Sequence, residues 1–304
     1  MDRILFIDAH NAMWRACVSF GPSVPHIACE QCSNTKHPSS IHCACGAAWD
    51  QDNNFCYGDR YNFVYNFFRS FRLLVADFEP DKCFFVLEGH PQFRYDLFGD
   101  YKANRIIKQA SKQIANDKFT KAKDIIVPLL QHLPITTCRA SNYEADDVIG
   151  TLCENMKDED LTVISNDSDY IQLLQRGYQN MQVFNPIKKD FMVAPDYPYV
   201  PWKCLNGDKS DNIPGLLKPK KALNTVSDPE LFRQFMSVQE NYSNFQVNRQ
   251  LIEFHPVPVE EISIQEGARN FAFVQQAFEQ MKFDSIVNEK SWEIFHTSFN
   301  CIKY

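Results

Sequence analysis

The sequence predicts an α/β fold in which short, mostly parallel strands alternate with helices and collect acidic side chains at one edge of a sheet. Apolar runs of strand length occur at residues 3–8, 81–87 and 161–165, and a carboxylate stands at the end of each run or just after it. Helical periodicity fills the segments between them. Loops at the carboxyl ends of such strands form the ligand-binding edge of an open α/β sheet, so we expect these acidic residues to lie together there.

Composition limits the class of protein. The chain has 304 residues, 25 of them Phe, which is enough to bury a large core as one domain or as a main domain with an extension. Because it has no apolar run of about 18 residues and no signal-peptide pattern, we expect a soluble intracellular protein without a membrane partner. The net charge of −7 at first argues against a nucleic-acid partner. Nine of the 38 acidic residues, however, lie in motifs where divalent cations would neutralise them.

The first two predicted strands each lead to a carboxylate. Residues 3–8 read RILFID and end in Asp8 ahead of a helix-like segment, although an Asp in this position can also simply cap that helix. The run CFFVL is followed by Glu88 in the same way. Between the two strands, apolar residues recur every three and four positions from Tyr61 to Phe78, which is typical of an amphipathic helix packed against a core.

The central motif is the stretch SNYEADDVIGTL. It predicts the first turn of a buried helix, with Ser141 or Asn142 available as the N-cap. Glu144 and Asp147 share a helix face, while Asp146 projects about a third of a turn away, so oxygen ligands are offered to two neighbouring points. Acidic residues also favour any helix N-terminus, so the motif alone does not separate a ligand set from a solvated first turn.

Two more acidic motifs follow. Asp167 and Asp169 come directly after the buried strand LTVIS and are well placed to chelate a hard cation. A fourth strand is expected at residues 181–184, and the later segment LNGDKSDNIPG carries Asp208 and Asp211. Two like charges about 4 Å apart repel by roughly 4 kcal/mol at an effective dielectric constant of 20, so such a gathering needs cations. Two Mg²⁺ or Mn²⁺ ions would supply them and would suit phosphodiester cleavage.

Positive charge is concentrated in two places. Seven Lys and Arg lie between residues 102 and 123 beside a single acid. A second cluster, at Lys218, Lys220 and Lys221, follows the last acidic motif. Together with Lys108 and Lys112 of the first cluster, these side chains could hold a nucleic-acid backbone beside the metal site. A solvated helical face would carry the same charges.

Residues 21–57 interrupt the α/β pattern with Pro, Ser, Asn and small residues. They contain two close cysteine pairs, Cys29 with Cys32 and Cys43 with Cys45. The spacing is roughly that of zinc ligands, although the second pair is one residue tighter than usual, and it predicts one structural zinc ion. His42 is available as a substitute ligand, and reduced cysteines without metal are the alternative. Disulfides are not expected, because the eleven Cys are an odd number in a chain without a secretion signal.

Five segments, taken in order, resemble the FEN-like 5′ nucleases, which comprise flap endonucleases, phage 5′ exonucleases and the 5′-nuclease domain of bacterial DNA polymerase I. They are FIDAHNAMWRA, VLEGHPQFRYDLFGDYKANR, SNYEADDVIGTL, VISNDSDYIQLL and LNGDKSDNIPG, and they span most of residues 3–223. The resemblance implies a PIN-like α/β domain over residues 1–190 with a helical arch at 102–123. A degenerate helix-hairpin-helix and a C-terminal helical region would follow over 191–304.

The resemblance also implies a role for each motif residue. The first metal would be held by Asp8, Glu88, Glu144 and Asp146, and the second by Asp167, Asp169 and Asp211, with Asp147 and Asp208 supporting or bridging them. Lys102 and Arg105, within YKANR, would contact the scissile phosphate, and Lys102 would stabilise the transition state.

Three features depart from the family pattern. Glu88 stands where the family usually has Asp, and its longer side chain would shift or weaken the first metal site. The hairpin reads NIPGLLKPKKAL and lacks one Gly of the usual G-x-G turn, so its lysines would replace backbone N–H groups in holding duplex phosphate. The Cys-rich insertion is not part of the common pattern, and we expect it near the substrate face.

The resemblance therefore predicts a metal-dependent 5′-3′ exonuclease and flap endonuclease, with RNase H activity on RNA primers. Its expected partners are DNA with a 5′ flap, a nick or a free 5′ end, RNA–DNA hybrids and replication proteins, and we expect a monomer. One alternative is a non-catalytic, structure-specific nucleic-acid-binding protein, although retained EADD, DSD and GDKSD motifs count against it. Another is a PIN-type endoribonuclease, which would not need the duplex-binding hairpin.

Overall fold

The computed structural model describes residues 1–18, 61–103 and 113–303. The strands are β1 (Arg3–Asp8), β2 (Lys82–Leu87), β3 (Thr136–Ala140), β4 (Asp160–Ile164), β5 (Asn180–Asn185), β6 (Asp190–Phe191) and β7 (Ile262–Gln265). The α-helices are α1 (Ala9–Val18), α2 (Asn62–Phe78), α3 (Gln92–Leu97), α4 (Gln113–Leu130), α5 (Ala145–Asn155), α6 (Ile171–Leu174), α7 (Tyr199–Asn206), α8 (Pro219–Ser227), α9 (Pro229–Met236), α10 (Gln239–Ile252), α11 (Phe271–Gln280), α12 (Asp284–Val287) and α13 (Glu289–Thr297). Short 3₁₀ turns cover Ser168–Tyr170 and Val259–Glu261.

The seven described strands form one sheet in the order β6-β5-β4-β1-β2-β3-β7. β1 lies between β2 and β4 and is parallel to both, and the next strands outward, β3 and β5, continue the parallel pairing. Only β6 and β7, at the two edges of this described sheet, are antiparallel to their neighbours. The predicted α/β fold with a mostly parallel sheet is confirmed, and its strands β1, β2 and β4 end at a common edge.

The four strands predicted from apolar runs are all present as β1, β2, β4 and β5. The structure adds β3, β6 and β7, which the sequence does not predict. Helix α2 matches the predicted amphipathic helix to within a residue. One local prediction is wrong: Glu144, rather than Ser141 or Asn142, is the N-cap of α5.

The described chain divides into two compact units. Unit 1 contains Met1–Asn11, Asp81–Ile114 and Thr136–Gln265, and therefore the whole sheet. In its core the buried face of α5, with Val148 and Ile149, belongs to one apolar cluster with sheet residues such as Phe6 and Val163. Each such side chain contributes roughly 1.5–3 kcal/mol when fully buried, so α5 is held firmly at its place in this unit.

Unit 2 contains Ala12–Pro80, Ala115–Ile135 and Glu266–Tyr304. Its core is aromatic: Phe68 of α2 lies 5.0 Å from Phe278, which in turn lies 5.5 Å from Phe295, measured between ring centroids. Such tilted and edge-on ring pairs add to the burial of their large apolar surfaces. The apolar stripe predicted for residues 61–78 is therefore the core-facing side of α2.

Several predictions fall outside the described residues. They include the zinc ligands Cys29, Cys32, Cys43 and Cys45 of the Cys-rich insertion, and Arg105, Lys108 and Lys112 of the arch. The boundary after residue 190 stays a prediction. Among the described helices, none has the length and apolar character needed to cross a bilayer.

Candidate metal centre

A cavity of about 150 Å³ lies at the carboxyl edge of the sheet in unit 1, and four of the predicted ligands line it: Asp8, Glu88, Asp146 and Asp167. Asp8 ends β1, Glu88 follows β2, Asp146 is in the first turn of α5, and Asp167 follows β4. Because β1, β2 and β4 are neighbouring parallel strands, their ends bring these side chains to one place. The cavity also receives Lys102.

The Asp8 carboxylate is held by three donors. The backbone N–H of Asn11 donates to Oδ1 at 3.0 Å, and the hydroxyls of Ser165 and Tyr170 donate to Oδ2 at 3.2 and 3.4 Å. Burial nevertheless raises the pKa of Asp8 to about 6, and the charge of Asp167 acts in the same direction. A carboxylate whose charged form is disfavoured in this way would be stabilised by a nearby cation.

Glu88 lies in a similar environment. Its Oε2 accepts a hydrogen bond of 3.1 Å from the backbone N–H of Ala145 at the start of α5. Burial, reinforced by the negative charge of Glu144, raises the pKa of Glu88 to about 7, while the charge of Lys102 opposes the shift. The longer side chain of Glu, compared with Asp, thus still reaches the cavity from the end of β2.

The first turn of α5 separates its carboxylates into two groups. Asp146 lines the cavity, and burial together with the charges of Asp147 and Glu144 raises the pKa of Asp146 well above its usual range. Asp147 is fully buried, and its Oδ2 accepts a hydrogen bond of 3.2 Å from the backbone N–H of Glu144. One oxygen each of Glu144, Asp146 and Asp147 lie within 4.8 Å of one another. Three carboxylates this close together repel one another unless positive charge neutralises them.

Arg94, in helix α3, is a buried cation beneath this turn that the sequence does not single out. Its Nη1 donates to Glu144 Oε2 at 2.6 Å and to Asp147 Oδ2 at 2.7 Å, and its Nη2 donates to Asp147 Oδ1 at 2.7 Å. The backbone N–H of His255 adds a bond of 2.8 Å to Asp147 Oδ1. Both oxygens of Asp147 are therefore occupied by protein donors, whereas Asp146 faces the cavity.

The Glu144 carboxylate carries cations and donors on both oxygens. Its Oε2 accepts from the Tyr101 hydroxyl at 2.9 Å as well as from Arg94, and its Oε1 accepts from the Lys102 ammonium. Burial raises the pKa of Glu144, but the charges of Lys102 and Arg94 outweigh it, and the pKa is lowered. Lys102 also lies 3.7 Å from a carboxylate oxygen of Asp211, so this lysine joins two predicted ligands.

A second acidic group surrounds Lys203 of helix α7, another buried cation that the sequence does not single out. Its ammonium bonds Asp169 Oδ1 and lies 2.7 Å from Asp208 Oδ2. Burial raises the pKa of Asp169 to about 7 although Lys203 opposes the shift. Burial also raises the pKa of Asp208, but the charge and hydrogen bond of Lys203, together with the hydrogen bonds from Ser210, outweigh it, and the pKa falls to about 2.

The nine predicted ligands thus occupy distinct surroundings within unit 1. Asp8, Glu88, Asp146 and Asp167 line the cavity, Glu144 and Asp147 bond Arg94, Asp169 and Asp208 bond Lys203, and Asp211 lies beside Tyr101 and Lys102. Lys218, Lys220 and Lys221 are exposed at the start of α8. His10 and Asn11, from the first turn of α1, also line the cavity and were not expected there. Their position directly after Asp8 is the sequence signal that could have indicated them.

The carboxylates fit divalent metal ions. Oxygen ligands from Asp and Glu are those that Mg²⁺ and Mn²⁺ prefer. Asp8, Glu88 and Asp146 are half-buried at a single cavity, and each has a raised pKa. A cation bound among them would favour the charged forms that burial, and secondarily the neighbouring negative charges, disfavour.

Comparisons of the sequence with known proteins find a matching family model and several relatives. Residues 3–197 match the family model described as the N-terminal resolvase-like domain of 5′-3′ exonucleases. A 5′-3′ exonuclease of Bacillus subtilis (strain 168) is 30% identical over 223 residues, which cover 64% of this chain and 72% of the relative. DNA polymerase I of Streptococcus pneumoniae (strain ATCC BAA-255 / R6) is 31% identical over 171 residues, covering 52% of this chain. The match spans about a fifth of that polymerase, 19% of its length.

Solved structures share the fold. Flap endonuclease-1 from Methanococcus jannaschii aligns with a TM-score of 0.58 at 12% identity, covering 99% of this chain and 93% of that one. A bacteriophage T5 flap endonuclease in complex with DNA and metal ions aligns with a TM-score of 0.56 at 16% identity, covering 97% and 99%. At these identities the likeness establishes the architecture alone.

Proposed function

Because the chain belongs to the 5′-3′ exonuclease family, we propose that it is a metal-dependent, structure-specific 5′ nuclease that hydrolyses phosphodiester bonds in DNA. The observation that carries the proposal is the cavity at the carboxyl edge of the sheet, where four carboxylates meet Lys102. A gathering of carboxylates beside a cationic side chain suits a reaction that moves negative charge on a phosphate.

Two Mg²⁺ or Mn²⁺ ions are the proposed cofactors. The first would be held by Asp8, Glu88 and Asp146 with Glu144, and the second by Asp167 with Asp169 and Asp211, while Asp147 and Asp208 would support or bridge the two sites. When bound, such a metal pair supplies an activated water and stabilises the leaving oxygen. The raised pKa values of Asp8 and Glu88 support the first site, since a cation would remove the cost of their charge.

The chain's own residues would then position the substrate. Lys102 lines the cavity and would place its ammonium against the scissile phosphate, with Arg105 of the same YKANR segment beside it. Lys108, Lys112 and the exposed Lys218, Lys220 and Lys221 would bind the nucleic-acid backbone away from the reacting bond. Arg94 and Asp147 would orient Glu144 and Asp146 without touching the substrate.

The proposed substrates are DNA with a 5′ flap, a nick or a free 5′ end, and RNA–DNA hybrids. DNA polymerase I among the relatives supports a role in replication or repair, with replication proteins as partners. We further propose that residues 1–190 carry catalysis while residues 191–304 supply a helix-hairpin-helix-like and helical region for duplex binding, in a monomeric protein. Helices α7 to α10 support the helical character of that second region.

Cleavage of a 5′-labelled flap substrate and of a nicked duplex in Mg²⁺ tests the proposal. Wild type should cut near the junction, and Asp167→Ala should lose cutting while it still binds the flap, because Asp167 lines the cavity. Asp158→Ala, a change at an exposed carboxylate, is the matched control and should cut like wild type. A protein that binds the flap but cuts in neither Mg²⁺ nor Mn²⁺ would instead be a binding protein, and Glu88→Asp would then be the reversion to make.

One structural zinc ion in the Cys-rich insertion is a separate proposal, supported by the spacing of its four cysteines. Elemental analysis of protein purified without added metal should find about one zinc per chain, as expected for a four-thiolate structural site. A Cys29→Ser, Cys32→Ser variant should lose it. Folded, zinc-free wild type would contradict the proposal.

A further inference from the structure

Lys203 is a buried lysine bonded to two predicted metal ligands at once. Its side chain is 8% exposed, and its ammonium contacts both Asp169 Oδ1 and Asp208 Oδ2. Asp169 follows β4, whereas Lys203 and Asp208 come from α7 and the turn after it. The lysine therefore joins two acidic motifs that are far apart in sequence.

Among the described residues, the carboxylate oxygens that face Lys203 accept few other hydrogen bonds. Asp208 Oδ1 is already taken by the backbone N–H of Ser210 at 2.7 Å and by its hydroxyl at 2.6 Å, so Oδ2 is the oxygen that faces Lys203. Asp169 Oδ1 accepts only a long bond of 3.5 Å from the Tyr199 hydroxyl besides the ammonium. Lys203 is thus the main positive charge bonded to both carboxylates.

The ammonium of Lys203 and a divalent metal ion would both bind the carboxylate oxygens of Asp169 and Asp208. Each needs oxygens whose negative charge is not already neutralised. If the metal displaces Lys203, the binding energy of the lysine is lost. If both stay, two cations repel each other across a few ångströms in a poorly solvated site. Either way, the lysine weakens metal binding at Asp169 and Asp208.

We infer that Lys203 is an internal counter-cation that competes with the second divalent metal ion for Asp169 and Asp208, and that it thereby sets the affinity of that metal. The inference rests on the proposed metal-dependent function and deepens it. Lys203 is a positioning residue in this account, because it acts through the two carboxylates and does not contact the substrate.

The competition has a second consequence for the metal-free protein. Removing one partner of a buried ion pair leaves an uncompensated charge, which is strongly destabilising. Without Lys203, Asp169 and Asp208 would be two partly buried carboxylates whose main counter-ion is gone. A metal ion should then stabilise the variant against unfolding more than it stabilises wild type.

Calorimetric titration of the full-length, chelator-treated protein with Mn²⁺, in the absence of DNA, tests the inference. Lys203→Met should bind its weaker Mn²⁺ roughly tenfold or more tightly than wild type does, because a nearby positive charge is gone. Saturating Mn²⁺ should also raise its melting temperature further than that of wild type. Lys188→Met, a change at an exposed lysine in the turn between β5 and β6, should match wild type in both measurements.

Two further variants keep the test decisive. Lys203→Gln replaces the charge with a neutral hydrogen-bond donor and should show the same gain in Mn²⁺ affinity. It serves as the test variant if Lys203→Met does not fold without metal. Adding Asp169→Ala to either variant should remove the gain in Mn²⁺ affinity, because the carboxylate for which the lysine and the metal compete is then absent. Unchanged or weaker Mn²⁺ binding in folded Lys203→Met and Lys203→Gln would overturn the inference.

The same titration distinguishes this inference from the proposed function. If wild type binds Mn²⁺ and cuts flap DNA but the Lys203 variants bind no tighter, only the role of Lys203 is wrong. If wild type binds Mn²⁺ and never cuts, the nuclease proposal fails while the Mn²⁺ affinities still decide the role of Lys203. If neither wild type nor the variants bind Mn²⁺, the inference is overturned together with the metal sites.

Discussion

Arg94 shows how much of the candidate site depends on a single residue. Its guanidinium is 1% exposed and bonds Glu144 and Asp147, and its Nε has no hydrogen-bond acceptor among the described residues. A buried arginine is costly unless its neighbours are charged, and here burial lowers its pKa less than Asp147 and Glu144 raise it. Arg94 therefore keeps its charge and fixes the first turn of α5.

Replacing Arg94 with Met should lower the free energy of unfolding by about 3–5 kcal/mol, since it leaves Glu144 and Asp147 buried without their common partner. It should also weaken the binding of the first metal, because Glu144 is no longer oriented. Urea denaturation and Mn²⁺ titration measure the two effects. Arg69→Met, a change at an exposed arginine in α2, is the control and should alter neither. Mn²⁺ binding that survives unchanged in a folded Arg94→Met protein would argue against the positioning role.

The acidic residues of the site were predictable from the sequence, whereas their cationic partners were not. Asp8, Asp146 and Asp167 sit in short motifs at strand ends or helix starts, and such positions are visible in sequence. Arg94 and Lys203 are single cations in ordinary helical segments, where nothing in the local pattern indicates burial. Only the fold brings each of them against two carboxylates.

Among the elements, three of the four strands predicted from the sequence are buried along most of their length, and β5, with two buried residues of six, is the exception. β1, β2 and β4 read as apolar runs, because a central parallel strand is covered on each side. β3 reads TTCRA with an exposed Arg139, and three of the four residues of β7 are exposed. Strands with so much polar or exposed surface lack an apolar signature. They are found only once the fold supplies their partners.

The loop that carries Glu88 gives a prediction at this scale. Gly89 passes so close to the end of β3 that an added Cβ would lie 2.0 Å from the carbonyl oxygen of Ala140 and 2.4 Å from that of Tyr143. Gly89→Ala should therefore lower the unfolding free energy by about 1–3 kcal/mol, the usual cost of overpacking. It should also displace Glu88 and reduce metal affinity. Thermal denaturation with and without Mn²⁺ checks both effects.

Gly99→Ala is the matched control for Gly89→Ala. An added Cβ at Gly99 meets no atom within 4 Å, so its stability should stay within about 0.5 kcal/mol of wild type. Equal melting temperatures for the two variants would show that the loop after β2 can relax. The position of Glu88 would then not depend on the close approach of Gly89 to β3.

Across the whole molecule, the electrostatic cost of gathering acids makes stability depend on pH. Burial raises the pKa of Asp8 to about 6 and the pKa values of Glu88 and Asp169 to about 7, above those of the unfolded chain. The folded protein therefore binds protons at these three carboxylates more tightly than the unfolded chain does. The stability gained from that tighter proton binding is lost as the pH rises through the raised pKa values. Glu144 and Asp208 have lowered pKa values, so their contributions are lost only in more acidic solution.

In a chelator, the free energy of unfolding should thus fall as the pH rises from about 5 to about 8, since the folded state releases more protons than the unfolded state over that range. Glu88→Gln should reduce the fall because it removes one of the groups, whereas Glu240→Gln, at an exposed position, should not. Denaturant titrations at several pH values measure the trend. Stability that increases across this range in metal-free wild type would contradict it.

The arrangement of the chain as a whole was the hardest feature to predict. The alternation of strand-like and helix-like segments and the acidic motifs indicate an α/β sheet with carboxylates at its edge, because both signals are local in sequence. Each unit, however, is assembled from three separate segments, and no change in composition marks where the chain passes between them. Such interleaving depends on long-range contacts, which a single sequence does not display.

The central place of β1 in the sheet also has a thermodynamic consequence. Hydrogen-bonded neighbours hold the strand on both sides, so it cannot fray alone and is released only when the sheet opens. A cation at Asp8, the last residue of that strand, would be lost in the same event. By mass action, the concentration of free divalent metal in the surroundings would then set how often the sheet opens at all.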